Sequence, residues 1–206
     1  KEMGELDMGD YKQMVSFVKD TVAAYPAKHY ALIIWNHGSG WKKVSNEVTK
    51  GISYDDSTGN HITTEQLGTA MNEIKGLLGK NLDVLGMDAC LMQMMEVDYV
   101  VKDTCDYVVA SEETEPGAGY PYDTILGALK KDMSVPAFCK AWVAAYTASY
   151  NNGSQGNSAS TQSAIDCSKL NGVKDAIDGF SKAAIAGAYG TQFKDALVKV
   201  QKFYYR

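Results

Sequence analysis

The chain has no long apolar run: its longest, such as Tyr30 to Trp35, are far too short to cross a bilayer. It has no basic excess either. Twenty Lys and Arg against 25 Asp and Glu give a net charge of −5. That argues against a nucleic-acid partner, which needs a basic face, and is compatible with a cationic peptide. Cysteine is sparse. Cys90, Cys105, Cys139 and Cys167 show no CxxC spacing, which excludes a disulfide scaffold or a zinc knuckle and leaves buried thiols as the default. Three histidines lack metal-ligand spacing, so no catalytic metal is expected. There is no phosphate-binding loop, no G-x-G-x-x-G after a strand, no G-x-S-x-G around Ser39, no EF-hand loop and no internal repeat. The chain begins at Lys1 rather than Met, so the lack of a signal peptide leaves the compartment open.

What is present is ordinary for a globular protein. Of the 206 residues, 45% are hydrophobic and 22% charged, enough apolar surface to offset the ordering entropy of one domain, or of one domain and part of a second. Met14, Val15, Val18 and Val22 recur at helical spacing after Asp10, predicting a helix from Asp10 to Tyr25, ended by Pro26. Tyr30 to Trp35 and Leu82 to Met87 read as buried parallel strands, and Tyr107 to Ala110 as a third. Helices are predicted at Thr63–Leu78, Leu91–Val101, Ile125–Lys131, Pro136–Tyr150 and Asn171–Ala186, with a strand at Ser163–Cys167. Gly38 to Gly59 and Ser111 to Asp123 read as loops, and Asn151 to Ser160 as a low-complexity hinge. Strands alternating with helices predict an α/β fold with a mainly parallel sheet.

Two strand ends carry chemistry. One runs into Asn36-His37-Gly38-Ser39-Gly40-Trp41 and the other into Asp88-Ala89-Cys90-Leu91. Ligands of open α/β sheets bind beyond the carboxyl ends of parallel strands, so His37 and Cys90 are candidates to share a site. Cys90 is expected where a strand turns into a helix, whose N-terminus favours the thiolate. Cys90 follows His37 by 53 residues, and caspases carry an Ala-Cys nucleophile with its His about 50 residues upstream. Glycines after His37 let backbone approach a substrate closely. His29 precedes a strand, at the wrong end for a site, and His61 reads as a solvated residue near a helix cap. Asp55, Asp56, Glu112, Glu113 and Glu115 read as solvated loop charges without an EF-hand pattern.

At these motifs the chain resembles the clostripain family of cysteine peptidases, relatives of caspases, legumains and gingipains. The resemblance rests on Tyr30-Ala-Leu-Ile-Ile-Trp-Asn-His-Gly-Ser-Gly-Trp41, on Leu82-Asp-Val-Leu-Gly-Met-Asp-Ala-Cys-Leu-Met92 and on Val108-Val-Ala-Ser-Glu-Glu-Thr-Glu-Pro-Gly-Ala-Gly-Tyr-Pro-Tyr122, and runs from about Gly4 to Ser168. It implies a caspase-like α/β/α sandwich, a Cys90–His37 dyad, an oxyanion hole from the backbone of Gly38 and Cys90, and cleavage after Lys or Arg. Asp88 takes the position of the acid at the base of the P1 pocket, with the alternative of a helix N-cap. Glu112, Glu113, Glu115 and Ala118 are candidates for the pocket rim, and Ala118 occupies a position where relatives often carry an acid.

The resemblance also implies a zymogen cut between His and Cys, for which Lys42, Lys43 and Lys50 are candidates, giving two associated chains of a monomer. Residues 1–150 are expected to form the catalytic core, with a first strand upstream of Lys1. Residues 151–206 are expected to continue the peptidase and to stop short of its end. Secretion or a cell-envelope location in a bacterium follows from the resemblance alone. No cofactor is expected, though some relatives depend on Ca²⁺. A non-catalytic peptide-binding domain and a Cys-dependent amidase are the alternatives.

Overall fold

The computed structural model describes residues 3–41 and 50–200. In chain order the elements are α1 (Tyr11–Ala24), β1 (Ala31–Trp35), β2 (Gly51–Asp55), β3 (Asn60–Thr63), α2 (Thr64–Leu78), β4 (Leu82–Asp88), α3 (Met95–Val101), β5 (Cys105–Ala110), α4 (Tyr122–Gly127), α5 (Val135–Tyr150), β6 (Asn151–Gly153), β7 (Gly156–Asn157), β8 (Ser163–Asp166), α6 (Leu170–Ala186) and α7 (Gly190–Lys199). Helix starts follow local chemistry. The Lys12 N–H donates to the Asp10 carboxylate at 3.0 Å, and Thr63 and Gln66 form a reciprocal capping box at α2.

The central sheet has the order β1-β4-β5-β8. β1, β4 and β5 are parallel, and β8 adds an antiparallel edge. All seven residues of β4 are buried, as expected for a strand covered on both faces. Leu32, Ile34, Leu85, Met87 and Val108 pack on one side with Val18 of α1, Leu67 and Met71 of α2, Val97 of α3 and Leu170 of α6. Val84 and Val109 pack on the other side with Ile125 of α4 and Phe138, Trp142, Tyr146 and Tyr150 of α5. The result is a three-layer α/β/α sandwich. Gly86 is fixed by packing, because a Cβ there would lie 2.6 Å from the Trp142 ring.

The structure departs from the sequence reading in the connections. The segment read as one long loop holds the β2–β3 hairpin, which buries Ile52 and Ile62 and turns through N–H bonds from Ser57 and Thr58 to the Asp55 carboxylate. The helix expected from Leu91 starts only at Met95. Leu91 takes φ +63°, and the N–H groups of Leu91 and Gln93 go to the carbonyls of Glu113 and Ser111 at 3.1 and 2.9 Å, so this stretch is tied to the loop after β5. The expected helix at Ile125–Lys131 lies earlier, at α4. The stretch read as a hinge forms the β6–β7 hairpin, and α7 follows α6 where no helix was predicted. Among the described residues no helix is long and apolar enough to cross a membrane.

Candidate active site

β1 and β4 lie side by side with Trp35 opposite Asp88, so His37 and Cys90 leave the same end of neighbouring strands. The hairpin holds the His37 loop: the Ser53 N–H donates to the His37 carbonyl at 3.2 Å, and the Ser39 N–H to the Gly51 carbonyl at 3.0 Å. This pairing leaves the N–H of Gly38 outside the ladder. Gly38 in turn sits against the Cys90 loop. A Cβ there would collide with the Cys90 carbonyl oxygen and lie 2.9 Å from the Ala89 Cβ. Glycine is therefore what lets the two loops close on each other. His37 is exposed, and Cys90 is half-buried.

Cys90 does not stand at a helix N-terminus, because the chain turns at Leu91 and becomes helical four residues later. The donor beside its sulfur comes from elsewhere: the Glu115 N–H points at Sγ from 3.2 Å. A thiolate accepts such a bond more strongly than a thiol does.

Asp88 is buried beneath these loops, on the α5 side of the sheet. Its Oδ2 accepts from the Tyr120 N–H at 3.2 Å and from the Tyr122 hydroxyl at 2.6 Å. The backbone of Gly119, at φ +63°, lies over the carboxylate, where a Cβ would stand 2.9 Å from both oxygens. The Glu115 carboxyl feels the Asp88 carboxylate. These partners are not the amides following Cys90, so the N-cap alternative for Asp88 is not realised. No Lys, Arg or His pairs with Asp88 among the described residues. Burial, together with the Asp88 carboxylate, pushes Glu115 up to about 10. Burial likewise raises the phenols of Tyr120, Tyr122, Tyr146 and Tyr150.

The other predicted site residues separate. Glu112 accepts from the Ser163 hydroxyl at 2.6 Å, and the Glu113 carboxylate accepts the Thr114 N–H at 2.7 Å. Glu115, read as a solvated loop charge, instead has its Oε2 fully buried. Ala118 is exposed, and its carbonyl accepts from the Gln155 side chain at 3.0 Å. Lys50 leads into β2, and the next residue, Gly51, is buried with its N–H on the Ser39 hydroxyl at 3.2 Å. Lys42 and Lys43 lie outside the described residues. His29 pairs with Asp83 at 2.6 Å, at the opposite end of β4. His61 is not a solvated residue: it is half-buried and stacks on Tyr54 with ring centroids 4.6 Å apart. The aromatic wall of Tyr120, Tyr122, Tyr146 and Tyr150 was missed. Phe138, Trp142, Tyr146 and Tyr150 recur every four residues along α5, a signal for a single buried face whose polar tips need partners.

A mainly parallel α/β/α sandwich with cysteine and histidine at adjacent strand ends defines the caspase-like class of fold. The sequence model of the clostripain family matches residues 1–205, and the chain belongs to that family. It is 33% identical over 138 residues to clostripain of Hathewaya histolytica, covering 61% of this chain and 25% of that protein. Its fold resembles that of a secreted C11 cysteine protease from Bacteroides thetaiotaomicron, solved with an irreversible peptide inhibitor. The TM-score is 0.65 at 26% identity, over 81% of this chain and 47% of that one. An inactive zymogen C11 protease from Parabacteroides distasonis matches with a TM-score of 0.58 at 22% identity, over 79% and 41% of the two chains, and bears on the fold alone. The chain thus spans a quarter to a half of the length of these relatives.

Proposed function

We propose that this chain carries the catalytic centre of a cysteine endopeptidase that cleaves after Lys or Arg. The observation that carries the reading is Asp88: a buried carboxylate without a cationic partner among the described residues, two positions before a half-buried cysteine, under a loop closed by the residue after His37. Such a carboxylate is ready for a charge-assisted bond to a basic side chain. The clostripain relative and the inhibitor-bound cysteine protease neighbour support the cysteine-peptidase part of this reading.

The Cys90 thiolate attacks the carbonyl carbon of the P1 residue. The oxyanion is held by the N–H groups of Gly38 and Cys90, neither of which donates to another described residue. The His37 imidazolium gives its proton to the leaving amine, and the thioester acyl-enzyme remains. His37 then takes a proton from water, the hydroxide attacks the thioester, and release of the acid regenerates the Cys90 thiolate beside the His37 imidazolium. These steps use only protein groups and water. Export from the cell fits the secreted neighbour. If the chain is processed between His37 and Cys90, Lys42 or Lys43 suits the cut better than Lys50, since the peptide after Lys50 is built into β2.

The test is hydrolysis of fluorogenic peptides with P1 Arg, Lys, Asn or Asp, with Cys90→Ala as control. Cleavage confined to Arg and Lys and lost in the variant is expected. Equal cleavage after Asn or Asp would refute the basic P1 assignment.

A further inference from the structure

The four cysteines divide by place. Cys90 stands half-buried past the carboxyl end of β4, beside the His37 loop. Cys139 of α5 is buried in the aromatic cluster on one side of the sheet, where burial pushes its thiol up to about 11. Cys105 and Cys167 are buried in the core on the other side. Cys105 opens β5 and pairs with Leu82 at the start of β4, so it sits at the end of the sheet away from Cys90. Cys167 follows Asp166, the last residue of β8, which pairs with Tyr107. The antiparallel β5–β8 pairing thus brings two cysteines 62 positions apart to a sulfur–sulfur distance of 3.8 Å. Cys105 is fully buried and Cys167 is 4% exposed. The Cys167 sulfur and burial hold Cys105 as a thiol, which lies 3.5 Å from the Val101 carbonyl oxygen. A cavity of about 520 Å³, open to solvent, is lined by both cysteines together with Lys75, Asp106 and Asn171.

We propose that Cys105 and Cys167 form a modification site: a dithiol that a small disulfide entering this cavity oxidises to a covalent bond between β5 and the turn before α6. The sulfurs must approach by about 1.8 Å to reach disulfide length, a shift within the range of side-chain rotation. The exchange balances. The Cys167 thiolate attacks one sulfur of the reagent and expels a thiolate, which leaves a mixed disulfide. Cys105 then attacks the Cys167 sulfur, and its proton passes to the second departing thiolate. The two cysteines lose two electrons and two protons, and the reagent leaves with them as two thiols. The connectivity is fixed by position, because the sheet separates Cys139 from the pair and Cys90 stands at the far end of the strands. The catalytic thiol is therefore left free when the pair is oxidised. The bond ties together the two ends of the segment that holds the Glu115 amide beside Cys90 and all of α5. It suits export, since disulfides persist outside the cytosol, and it is independent of the P1 residue that the enzyme takes.

The experiment incubates the folded Cys90→Ala chain with glutathione disulfide, quenches in acid, unfolds the chain and counts free thiols by alkylation and mass spectrometry. The three thiols of this variant are expected to fall to one, Cys139, with the peptides that carry Cys105 and Cys167 joined. Three thiols remaining, glutathione held on Cys167 alone, or a bridge that includes Cys139 would each overturn the proposal. Thermal melts give a second readout. The oxidised chain is expected to melt about 5–10 °C above the reduced one, because the bond restricts the unfolded state. Cys105→Ala and Cys167→Ala should each abolish this rise. In the intact enzyme, with Cys90 freed by brief mild reduction, both variants should leave peptide hydrolysis unchanged. An equal rise in Cys167→Ala would refute the bridge. If Cys105→Ala does not fold, the thiol count and Cys167→Ala decide.

Discussion

The two ends of β4 each hold a buried aspartate, and the two are treated in opposite ways. Asp83, at the start of the strand, is 5% exposed and receives Lys80 Nζ at 2.7 Å, His29 Nδ1 at 2.6 Å and the Tyr30 N–H at 3.0 Å. Burial pushes its carboxyl up, but these hydrogen bonds and the Lys80 charge outweigh it and hold the group below its ordinary value. Asp88, at the end of the strand, is 3% exposed and meets a backbone N–H, a phenol and a second acid. One end is a closed ion pair. The other is a buried carboxylate with no cationic partner among the described residues. The difference teaches that burial of a carboxylate alone says little; the missing counter-charge is what singles out the end proposed as functional.

The comparison can be broken or sharpened in five ways. The largest effect is expected at the reacting groups beside Asp88: Cys90→Ala or His37→Ala should cost about 10³-fold or more in turnover with circular dichroism unchanged. Wild-type activity in either would remove the reason to treat this end as catalytic. Next, Asp88→Asn should lower kcat/KM for Arg and Lys peptides by about 10²-fold, because the charge-assisted bond is lost.

At the other end, Asp83→Asn should leave kcat/KM intact and cost about 1–3 kcal/mol of unfolding free energy, as for hydrogen bonds to a charged group. The pH dependence should reverse between the two ends. Asp83, lowered from 3.8, gives stability that is present above that value and lost as pH falls through its folded value. Glu115, raised from 4.5 to about 10, gives stability that is present below 4.5 and lost as pH rises across that interval. Thermal melts of Asp83→Asn and Glu115→Gln against pH would show whether the two slopes have opposite sign. The smallest effect belongs to His29→Ala. The ring is 64% exposed, so its removal should change stability by about 0–1 kcal/mol. A larger loss would mean that His29 organises the Asp83 cluster.

The strands of the central sheet and most helices were legible because their signals are local. The apolar runs Tyr30–Trp35 and Leu82–Met87 marked two parallel strands, of which only β4 is covered throughout, β1 being an edge strand with Ala31 and Trp35 exposed, and Asp10 and Thr63 cap the helices that follow them. The β2–β3 hairpin was not legible, since Ile52 and Ile62 are isolated apolar residues in a polar stretch and are buried only against one another and the rest of the core. The helix after Cys90 was placed too early for a similar reason. Leu91 and Gln93 bond to residues some twenty positions later, and no local propensity reports that.

The sequence by itself determined the fold class and the two residues at the strand ends, because periodicity and the His-Gly-Ser-Gly and Asp-Ala-Cys strings are properties of short segments. Only the tertiary structure decided which acid of Ser111-Glu-Glu-Thr-Glu115 turns inward, and that the donor beside the Cys90 sulfur is an amide 25 residues downstream rather than a helix end. Burial and electrostatic environment belong to positions in space, and three glutamates of one loop are chemically alike until folding puts one of them against Asp88.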